Sequence, residues 1–227
     1  MRYVDRFKAL LFDVNGTFMF DHDRLGADQD FFSTYKRLGG AVLTETSVHA
    51  AVVETCTQLR RDYDDPAKLD SFPQLLDAVV SYAKLAGLDA HTVAAVIAEH
   101  EVGTIPEWAA RSLLVLSRTH PLALVSNVWA PAHHWTTEFN RSGVAGAFKH
   151  FVFSSTLGAI KPSPLPFIAA LKALGVSAKD TLFIGDSVER DILPAQRLGM
   201  RTAWISDTAA SGQADLTISS IRQLIQQ

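Results

Sequence analysis

The chain has 227 residues, of which 48% are hydrophobic and 20% charged, so it is long enough for one large domain that carries a smaller insertion. Its formal net charge of -3 at pH 7 provides no broad basic field, which argues against nucleic acid or an anionic membrane surface as a partner. We therefore expect a small-molecule partner.

The sequence also bears on the cellular compartment. Residues 1–6 carry charge and lead into a short apolar segment, and no apolar run reaches the length that spans a membrane. The single cysteine, Cys56, cannot form an intramolecular disulfide, which is typical of a reducing compartment. Because Cys56 lies on an apolar stripe with Val48, Val52 and Leu59, we expect a buried thiol without a chemical role. The expected location is the cytoplasm.

Short apolar runs, each followed by polar or turn-forming residues, are typical of strands that are buried on both faces of a sheet. Such runs occupy residues 7–13, 122–125, 151–153, 182–184 and 202–205, and a shorter run occupies residues 216–218. Between them, stretches with proline near the first turn and glycine after the last predict helices. These helices cover residues 106–117, 131–141, 164–174 and 191–198. The alternation predicts a doubly wound, Rossmann-like α/β fold with a parallel sheet.

The block between the first and second strands has a different pattern. It contains no convincing strand, and its apolar residues recur at helical spacing in four segments. Two examples are Leu75, Val79, Tyr82 and Ala86, and then Val93, Val96, Ile97 and His100. We predict a core domain over residues 1–20 and 104–227 and a helical cap over residues 21–103, with hinges near residues 20–26 and 102–106. Such an insertion should cover the carboxyl edge of the sheet.

Polar residues that end or follow the predicted strands should meet at one place. Asp13 ends the first strand, Ser126, Asn127 and Asp186 follow later ones, and Lys161 comes one short loop after the third. Because parallel strands point the same way, these side chains should converge on a crevice at the carboxyl edge of the sheet. Two buried carboxylates such as Asp13 and Asp186 would repel each other unless a lysine or a cation lay between them. The pattern predicts that Lys161 and a divalent ion fill this role.

The chain resembles the haloacid dehalogenase-like superfamily in four short motifs that occur in the family's order. The motifs are Asp13-Val14-Asn15-Gly16-Thr17, Ser126-Asn127, Lys161-Pro162, and Gly185-Asp186-Ser187 continuing to Asp191. One such motif alone is unspecific, whereas four in order at the ends of predicted strands form a specific signal. The resemblance covers the whole predicted core, and the helical insertion resembles the first type of cap in the family.

The resemblance implies that Asp13 is a nucleophile that attacks phosphorus and forms an aspartyl-phosphate. It implies that Mg²⁺ is held by the Asp13 side chain, the backbone carbonyl of Asn15 and Asp186. Asp191 would be a further metal ligand or would orient the other ligands. Because Asp191 also begins a predicted helix, a role in capping free N–H groups stays open.

The remaining motif residues are expected to bind the phosphorylated substrate. By the same resemblance, Ser126 and the amide of Asn127 would receive phosphate oxygens, and Thr17 would help to orient the group. Lys161 would balance the negative charge of nucleophile and phosphoryl group during catalysis. For Thr17 and Asn127 a purely structural role is an equal alternative.

Asn15 departs from the family pattern. In the family's phosphatases a second aspartate occupies this position, where it protonates the leaving oxygen and later activates the attacking water. An amide has no proton to exchange near neutral pH, and a positioned acid or base typically contributes about 10²- to 10⁴-fold. Metal binding by the backbone carbonyl should survive the change, but proton transfer should suffer.

Three functions remain open, in order of preference. The first is a phosphatase or phosphoryl-transfer enzyme that is slow or uses another proton carrier, for which His22, His133 and His134 are candidates. The second is a displacement at carbon, as in the family's 2-haloacid dehalogenases, where the halide leaves unprotonated. The third is a module that binds a phosphorylated ligand without turning it over.

Overall fold

A computed structural model describes residues 2–208 and 212–226. Its strands are β1 (Ala9–Phe12), β2 (Leu122–Ser126), β3 (Phe148–Phe153), β4 (Thr181–Gly185), β5 (Arg201–Ile205) and β6 (Leu216–Ile218). They form one six-stranded sheet in the order β3-β2-β1-β4-β5-β6, in which every pairing is parallel. The predicted doubly wound α/β fold is confirmed.

Helices surround the sheet and fill the segment between β1 and β2. They are α1 (Phe31–Arg37), α2 (Glu45–Asp64), α3 (Leu75–Tyr82), α4 (Gly87–Glu101), α5 (Glu107–Ser117), α6 (Ala132–Arg141), α7 (Ser154–Leu157), α8 (Pro164–Leu174), α9 (Leu193–Arg197) and α10 (Gln223–Gln226). Helices α1 to α4 all lie between β1 and β2 in the chain, and residues 21–103 supply none of the six strands. No helix in the described ranges has both the length and the apolar character needed to cross a membrane.

The sheet is covered by side chains on both faces. Leu10 and Phe12 of β1 belong to one buried cluster, and Leu11 belongs to a second cluster that includes Phe167 and Phe183. Successive side chains of a strand point to opposite faces, so a strand with apolar residues at every position must be buried on both. This double burial explains why the sheet strands could be predicted as continuous apolar runs.

The chain leaves the core after β1 and returns to it through a short antiparallel contact. The N–H of Phe20 donates to the carbonyl of Thr104 at 2.9 Å, and the N–H of Thr104 donates to the carbonyl of Phe20 at 2.7 Å. A Cβ at Gly103 would lie 2.3 Å from the Phe20 carbonyl oxygen. Gly103 therefore permits the close backbone approach that joins the two ends of the insertion.

Several element boundaries differ from the sequence prediction for local physical reasons. Strand β3 begins at Phe148, before the predicted start at residue 151. The prediction was too short because the exposed Lys149 and His150 interrupt the apolar pattern of the strand. Helix α3 ends at Tyr82, before the predicted Ala86, and Lys84 adopts a positive φ of 56° that a continuing helix does not allow.

The predicted helix over residues 191–198 is shorter in the structure. Helix α9 begins at Leu193, because Val188–Ile192 form a π-helical turn before it. Residue 1, residues 209–211 and residue 227 belong to the predicted core range but lie outside the described residues. Cys56 is buried, as its apolar stripe predicts, and burial raises the pKa of its thiol to about 12.

Phe167 provides a test of the second buried cluster. Its ring is fully buried and lies 5.0 Å from that of Phe183, so Phe167→Ala should lower the free energy of unfolding by about 3–5 kcal/mol. The neighbouring Ile168 is 46% exposed, and Ile168→Ala should change it by less than about 0.5 kcal/mol. Urea denaturation followed by circular dichroism measures both. Equal, small effects would contradict the assigned packing.

Candidate active site

The predicted site residues converge on a cavity of ≈ 380 Å³. It lies where β2 and β4 flank β1, which is the point at which an open α/β sheet reverses its strand order and commonly binds ligands. The sequence-predicted residues that line this cavity are Asp13, Asn15, Asn127, Lys161, Asp186 and Asp191. Thr17 and Ser126 are buried beside Asp13 instead.

The Asp13 carboxylate is held by three side chains. Its Oδ1 atom accepts hydrogen bonds from Lys161 Nζ at 2.6 Å and from Ser126 Oγ at 3.1 Å. Its Oδ2 atom accepts a longer bond of 3.4 Å from Thr17 Oγ1. The carboxylate is 6% exposed and directly follows the last residue of β1. One oxygen is thus firmly fixed, and the other carries the weaker contact.

Lys161 joins Asp13 to Asp191, and not to Asp186 as the sequence predicted, because Asp186 lies exposed at the cavity surface while Asp191 is buried beside the lysine. Its Nζ atom also donates to Asp191 Oδ1 at 2.6 Å, and its side chain is 3% exposed. Burial lowers the pKa of this ammonium, but the charges of Asp13 and Asp191 raise it further, so the pKa of Lys161 lies above its ordinary value. Lys161 is therefore a fixed positive charge at neutral pH.

Asn127 holds the backbone of Lys161 rather than pointing its amide into open space. Its Oδ1 atom accepts from the Lys161 N–H at 2.7 Å, and its Nδ2 atom donates to the Lys161 carbonyl at 2.9 Å. The same Nδ2 atom donates to Tyr63 Oη at 3.0 Å. The side chain of Asn127 thus has the structural role that the sequence left open, while its backbone N–H stays a predicted phosphate donor.

Three carboxylates lie close together, of which the buried Asp13 and Asp191 are bonded to Lys161 and Asp186 is exposed. Ligand oxygens of Asp13, Asp186 and Asp191 all lie within 4.8 Å of one another. Partial desolvation, followed by the charges of Asp13 and Asp191, raises the pKa of Asp186 to about 7. Burial and the Asp13 charge likewise raise the pKa of Asp191 to about 6, against the opposing effect of Lys161. A set of oxygen donors with excess negative charge fits a hard divalent cation such as Mg²⁺.

Two glycines allow the carboxylates to approach the backbone. Gly16 has a φ of 72°, and a Cβ there would lie 2.2 Å from Asp186 Oδ2. A Cβ at Gly185 would lie 2.5 Å from Asp191 Oδ2. Larger residues at either position would displace an acidic group of the cluster.

Asp191 has hydrogen bonds at both carboxylate oxygens. Besides the bond to Lys161, its Oδ2 atom accepts from the N–H of Ser187 at 3.0 Å. The π-helical turn Val188–Ile192 places it at this position. This arrangement favours a role in orienting Lys161 and the preceding loop over direct metal ligation, and both roles remain predictions.

Asn15 and His22 bring unpartnered polar atoms to the same cavity. Asn15 Oδ1 and His22 Nδ1 are both buried and have no hydrogen-bond partner among the described residues. The rings of His133 and His134 lie 4.1 Å apart on α6, and neither residue lines this cavity. Of the three histidines considered from the sequence, the structure brings only His22 to the site.

Arg190 and Tyr63, which were not predicted as site residues, support the backbone around Lys161. The guanidinium of Arg190 stacks on the Tyr63 ring at 3.6 Å and donates to the Lys161 carbonyl at 3.0 Å. It also donates to the Tyr63 carbonyl at 3.1 Å and to Asp64 at 2.9 Å. The position of Arg190 between Asp186 and Asp191 was an available signal, whereas no sequence spacing pointed to Tyr63.

Glu101, the last residue of α4, links the insertion to the loop after β2. Its carboxylate accepts the N–H of Trp129 at 2.7 Å and the N–H of Ala130. The side chain is buried, and burial raises its pKa to about 8. In the sequence Glu101 cannot be distinguished from the other polar residues of its helix, so it was not predicted as a site residue.

The central strand of the parallel sheet is followed by an aspartate that is bonded to a lysine, and two more carboxylates lie beside it. These features define a class of α/β proteins with an acidic site at the carboxyl edge of the sheet. Residues 7–199 match the family model described as haloacid dehalogenase-like hydrolase. The chain belongs to this family, which confirms the resemblance seen in the four motifs.

Individual relatives have different activities. A glyceraldehyde 3-phosphate phosphatase from Pyrococcus furiosus is 25% identical over 97% of this chain and 92% of its own length. A protein of the same name from Methanocaldococcus jannaschii is 34% identical, but the match spans only 37% of this chain and 40% of that relative. The solved structure of a 2-haloacid dehalogenase from Pseudomonas syringae pv. Tomato has a TM-score of 0.65 at 22% identity and covers 97% of both chains. The shared fold therefore does not distinguish attack at phosphorus from attack at carbon.

The raised pKa of Asp186 leads to a test of the metal site. Below about pH 7 this carboxyl is largely protonated, so a bound Mg²⁺ ion must displace its proton, and affinity should fall as the pH is lowered from about 8 to about 6. Calorimetry in two buffers of different ionisation enthalpy should show up to about one proton released per ion.

Asp186→Asn is the matched control for this experiment. It removes the carboxyl with the higher pKa at nearly constant size, so binding should weaken and the proton release near pH 7 should fall. If Asp186→Asn bound Mg²⁺ as tightly as the parent, with the same pH dependence, the carboxylate cluster would not be the metal site.

Proposed function

We propose that the protein is a Mg²⁺-dependent phosphatase that acts on a small phosphorylated metabolite through an aspartyl-phosphate at Asp13. The observation that carries this proposal is the cluster of three carboxylates, two of which are bonded to one buried lysine. That arrangement matches the charge needs of phosphoryl transfer, in which a cation and a lysine offset the negative charge of nucleophile and phosphate. The phosphatase names of the relatives agree with it.

The contacts of Asp13 support different roles for its two oxygens. Oδ1, which Lys161 and Ser126 fix, orients the carboxylate, and Oδ2 attacks phosphorus. The new bond from Oδ2 to phosphorus forms as the bond from phosphorus to the leaving oxygen breaks. The leaving oxygen takes a proton from solvent water, because Asn15 has none to give. A second water then attacks the phosphorus of the aspartyl-phosphate and loses its proton to solvent, which releases phosphate and restores the Asp13 carboxylate.

Other residues of the site bind and neutralise the phosphoryl group. The Asn127 N–H and Lys161 Nζ would donate to its oxygens. The Ser126 hydroxyl donates its one O–H to Asp13 Oδ1 in the structure and would have to turn away from it to bind phosphate, as the sequence predicts. The side chains of Asp13 and Asp186, together with the Asn15 carbonyl, would hold Mg²⁺, and Asp191 would complete or orient this set. When bound, the ion supplies positive charge that stabilises the phosphoryl oxygens.

The proposal also includes a division into two domains. Residues 21–103 form a helical cap, and residues 1–20 and 104–227 form the hydrolase core. Three contacts support this assignment: Tyr63 with Asn127, Glu101 with Trp129, and the N–H of Phe72 with the Gly158 carbonyl at 2.8 Å. A cavity of ≈ 380 Å³ suits a small metabolite rather than a macromolecule. A cytoplasmic location, as expected from the sequence, is part of the proposal.

Displacement at carbon is the main alternative, because Asn15 removes the proton donor that a phosphate ester needs and a halide does not. The acidic cluster argues against it. Such a reaction needs no cation, and without one the carboxylates of Asp186 and Asp191 would only add repulsion to a carboxylate-bearing haloacid. A non-catalytic binder would likewise gain nothing from Asp13 facing an anionic ligand.

Replacement of Asn15 tests the phosphatase proposal directly. Asn15→Asp restores a titratable carboxyl in the cavity without a change of size, so phosphomonoester turnover with Mg²⁺ should rise by about 10²-fold or more. Asn140→Asp, the same change at an exposed position of α6, should leave turnover unaltered. Asp13→Asn should abolish activity in both the parent and the Asn15→Asp background.

The same assays separate the alternatives. If Asn15→Asp stays at background on phosphate esters while Mg²⁺ still binds, the protein is a binding module. If the parent releases halide from 2-haloacids without Mg²⁺, the reaction is at carbon, and the phosphatase proposal is wrong.

A further inference from the structure

His22 lies on the segment that leads from β1 into the insertion, and backbone bonds hold this segment against the end of α4. The N–H of Asp23 donates to the carbonyl of Glu101 at 3.0 Å. The N–H of Arg24 donates to the carbonyl of His100 at 2.9 Å. The antiparallel contact between the two ends of the insertion lies just before His22 in the chain. The backbone of His22 is therefore fixed on both sides.

The residues on either side of His22 have an unusual backbone conformation. Asp21 has a φ of 55° and Asp23 a φ of 54°. This left-handed region is uncommon outside glycine, and such strain persists only where the surrounding structure imposes it. A Cβ at Gly103 would lie 3.0 Å from both the Cβ and the backbone nitrogen of His22. Gly103 thus leaves room for His22 in this conformation, which is typical of a position with a functional role.

The two ring nitrogens of His22 have different surroundings. Its Nε2 atom lies 3.7 Å from Asp23 Oδ2. Its Nδ1 atom is buried and has no hydrogen-bond partner among the described residues. A buried polar atom without a partner costs free energy, so we expect a ligand to provide one. A carboxylate beside Nε2 favours a hydrogen on that nitrogen, which leaves Nδ1 as the atom that exchanges a proton.

His22 shares its cavity with the residue that departs from the family pattern. Both His22 and Asn15 line the cavity that contains Asp13, and Asn15 Oδ1 is likewise buried without a partner. The amide of Asn15 has no proton to exchange, whereas an imidazole exchanges one near neutral pH. Among the residues that the structure describes, no other histidine lines this cavity.

Other ionisable groups of the cavity are less suited to this exchange. The Glu101 carboxylate accepts two backbone N–H groups, and Lys161 is bonded to two carboxylates. Burial raises the pKa of Tyr63, and the guanidinium of Arg60 keeps its protons. Asp186 is assigned to the metal in the proposed function. His22 is therefore the group best placed to move a proton.

We propose that His22 relays a proton from solvent water to the leaving oxygen, in place of the carboxyl that Asn15 lacks. The inference rests on the proposed phosphatase function. As the bond from phosphorus to the leaving oxygen breaks, that oxygen takes the Nδ1 proton of the protonated imidazole and departs as an alcohol. The imidazole, now neutral, regains a proton at Nδ1 from solvent water. The Nε2–H faces Asp23 throughout, so Asp23 acts as a positioning residue.

Two phosphate esters with different leaving groups test this relay. Benzyl phosphate releases an alcohol whose oxygen needs a proton, whereas 4-nitrophenyl phosphate releases a phenolate that is stable without one. We would measure kcat/KM with Mg²⁺, because it reports the steps up to departure of the leaving group even when the aspartyl-phosphate is hydrolysed slowly. His22→Gln should lower kcat/KM by about 10²-fold for benzyl phosphate and by no more than about twofold for 4-nitrophenyl phosphate.

Two further variants define the role of His22 more closely. Asp23→Asn should lower kcat/KM for benzyl phosphate by a smaller factor than His22→Gln, because it removes only the group that orients the ring. Asparagine tolerates the positive φ of 54° at this position, so the backbone should be preserved. His91→Gln, at an exposed histidine of α4 that does not line the cavity, is the matched control and should alter neither ester.

The Asn15→Asp background tests whether His22 replaces the missing carboxyl. There the restored carboxyl supplies the proton, so His22→Gln should lower kcat/KM for benzyl phosphate by less than about tenfold. A loss of the same size in both backgrounds would mean that His22 does not replace that carboxyl, and it would overturn the inference.

The ester comparison separates failure of the relay from failure of the phosphatase proposal. If neither ester is hydrolysed, the phosphatase proposal fails and the relay fails with it. If both esters are hydrolysed and His22→Gln lowers kcat/KM equally for the two, His22 only stabilises the cavity and the relay fails alone.

Nuclear magnetic resonance of ¹⁵N-labelled histidine provides a readout without turnover. In Asp13→Asn with Mg²⁺, benzyl phosphate should shift the Nδ1 signal of His22 more than its Nε2 signal, because Nδ1 donates to the leaving oxygen. The His22→Gln variant assigns the two signals by their loss. Bound benzyl phosphate that leaves the Nδ1 signal unchanged would contradict the relay.

Discussion

Mutual repulsion of three carboxylates at the end of β1 is the constraint on which the rest of the site depends. Strands β1 and β4 are adjacent and in parallel register, with Phe12 opposite Ile184, so Asp13 and Asp186 must end close together. Asp191 adds a third charge within 4.8 Å. Asp13 and Asp191 are buried and Asp186 is exposed, and buried charges of one sign are tolerated only where counter-charges or hydrogen bonds offset them. Lys161 supplies one such charge, and the proposed divalent cation would offset the excess.

The need to keep Lys161 in place explains several residues that do not touch the carboxylates. Asn127 bonds to both backbone groups of Lys161, and Arg190 bonds to its carbonyl. Tyr63 contacts both Asn127 and Arg190 from the end of α2. The insertion is therefore connected to the carboxylate cluster through the backbone at Lys161. Glu101 adds a second link, from the end of α4 to the loop after β2.

Much of the fold could be predicted because its strands are buried on both faces. Helix α8 was predicted at its observed bounds, since Ser163 accepts the N–H of Leu165 at one end and Gly175 adopts a φ of 67° after the other. Strand β3 was harder to delimit, because it lies at the edge of the sheet and exposes Lys149 and His150.

The motif residues were found because they follow buried strands, but their partners were not. Tyr63 and Glu101 lie on helices whose periodicity does not reveal which side meets the cavity. The side chain of Asn127 could not be assigned either, since its role depends on the loop that carries Lys161. Likewise, only the folded chain shows that His22 lines the cavity and that His133 and His134 do not.

The central claim is that Asp13 takes up a phosphoryl group and, lacking a base at Asn15, returns it slowly to water. The most direct measurement is mass spectrometry of protein quenched in acid during turnover of a phosphate ester with Mg²⁺. The proposal predicts a phosphoryl adduct on the peptide that contains Asp13, absent in Asp13→Asn and reduced at steady state in Asn15→Asp. Release of phosphate without any adduct on Asp13, at every time from the first turnover onward, would contradict it.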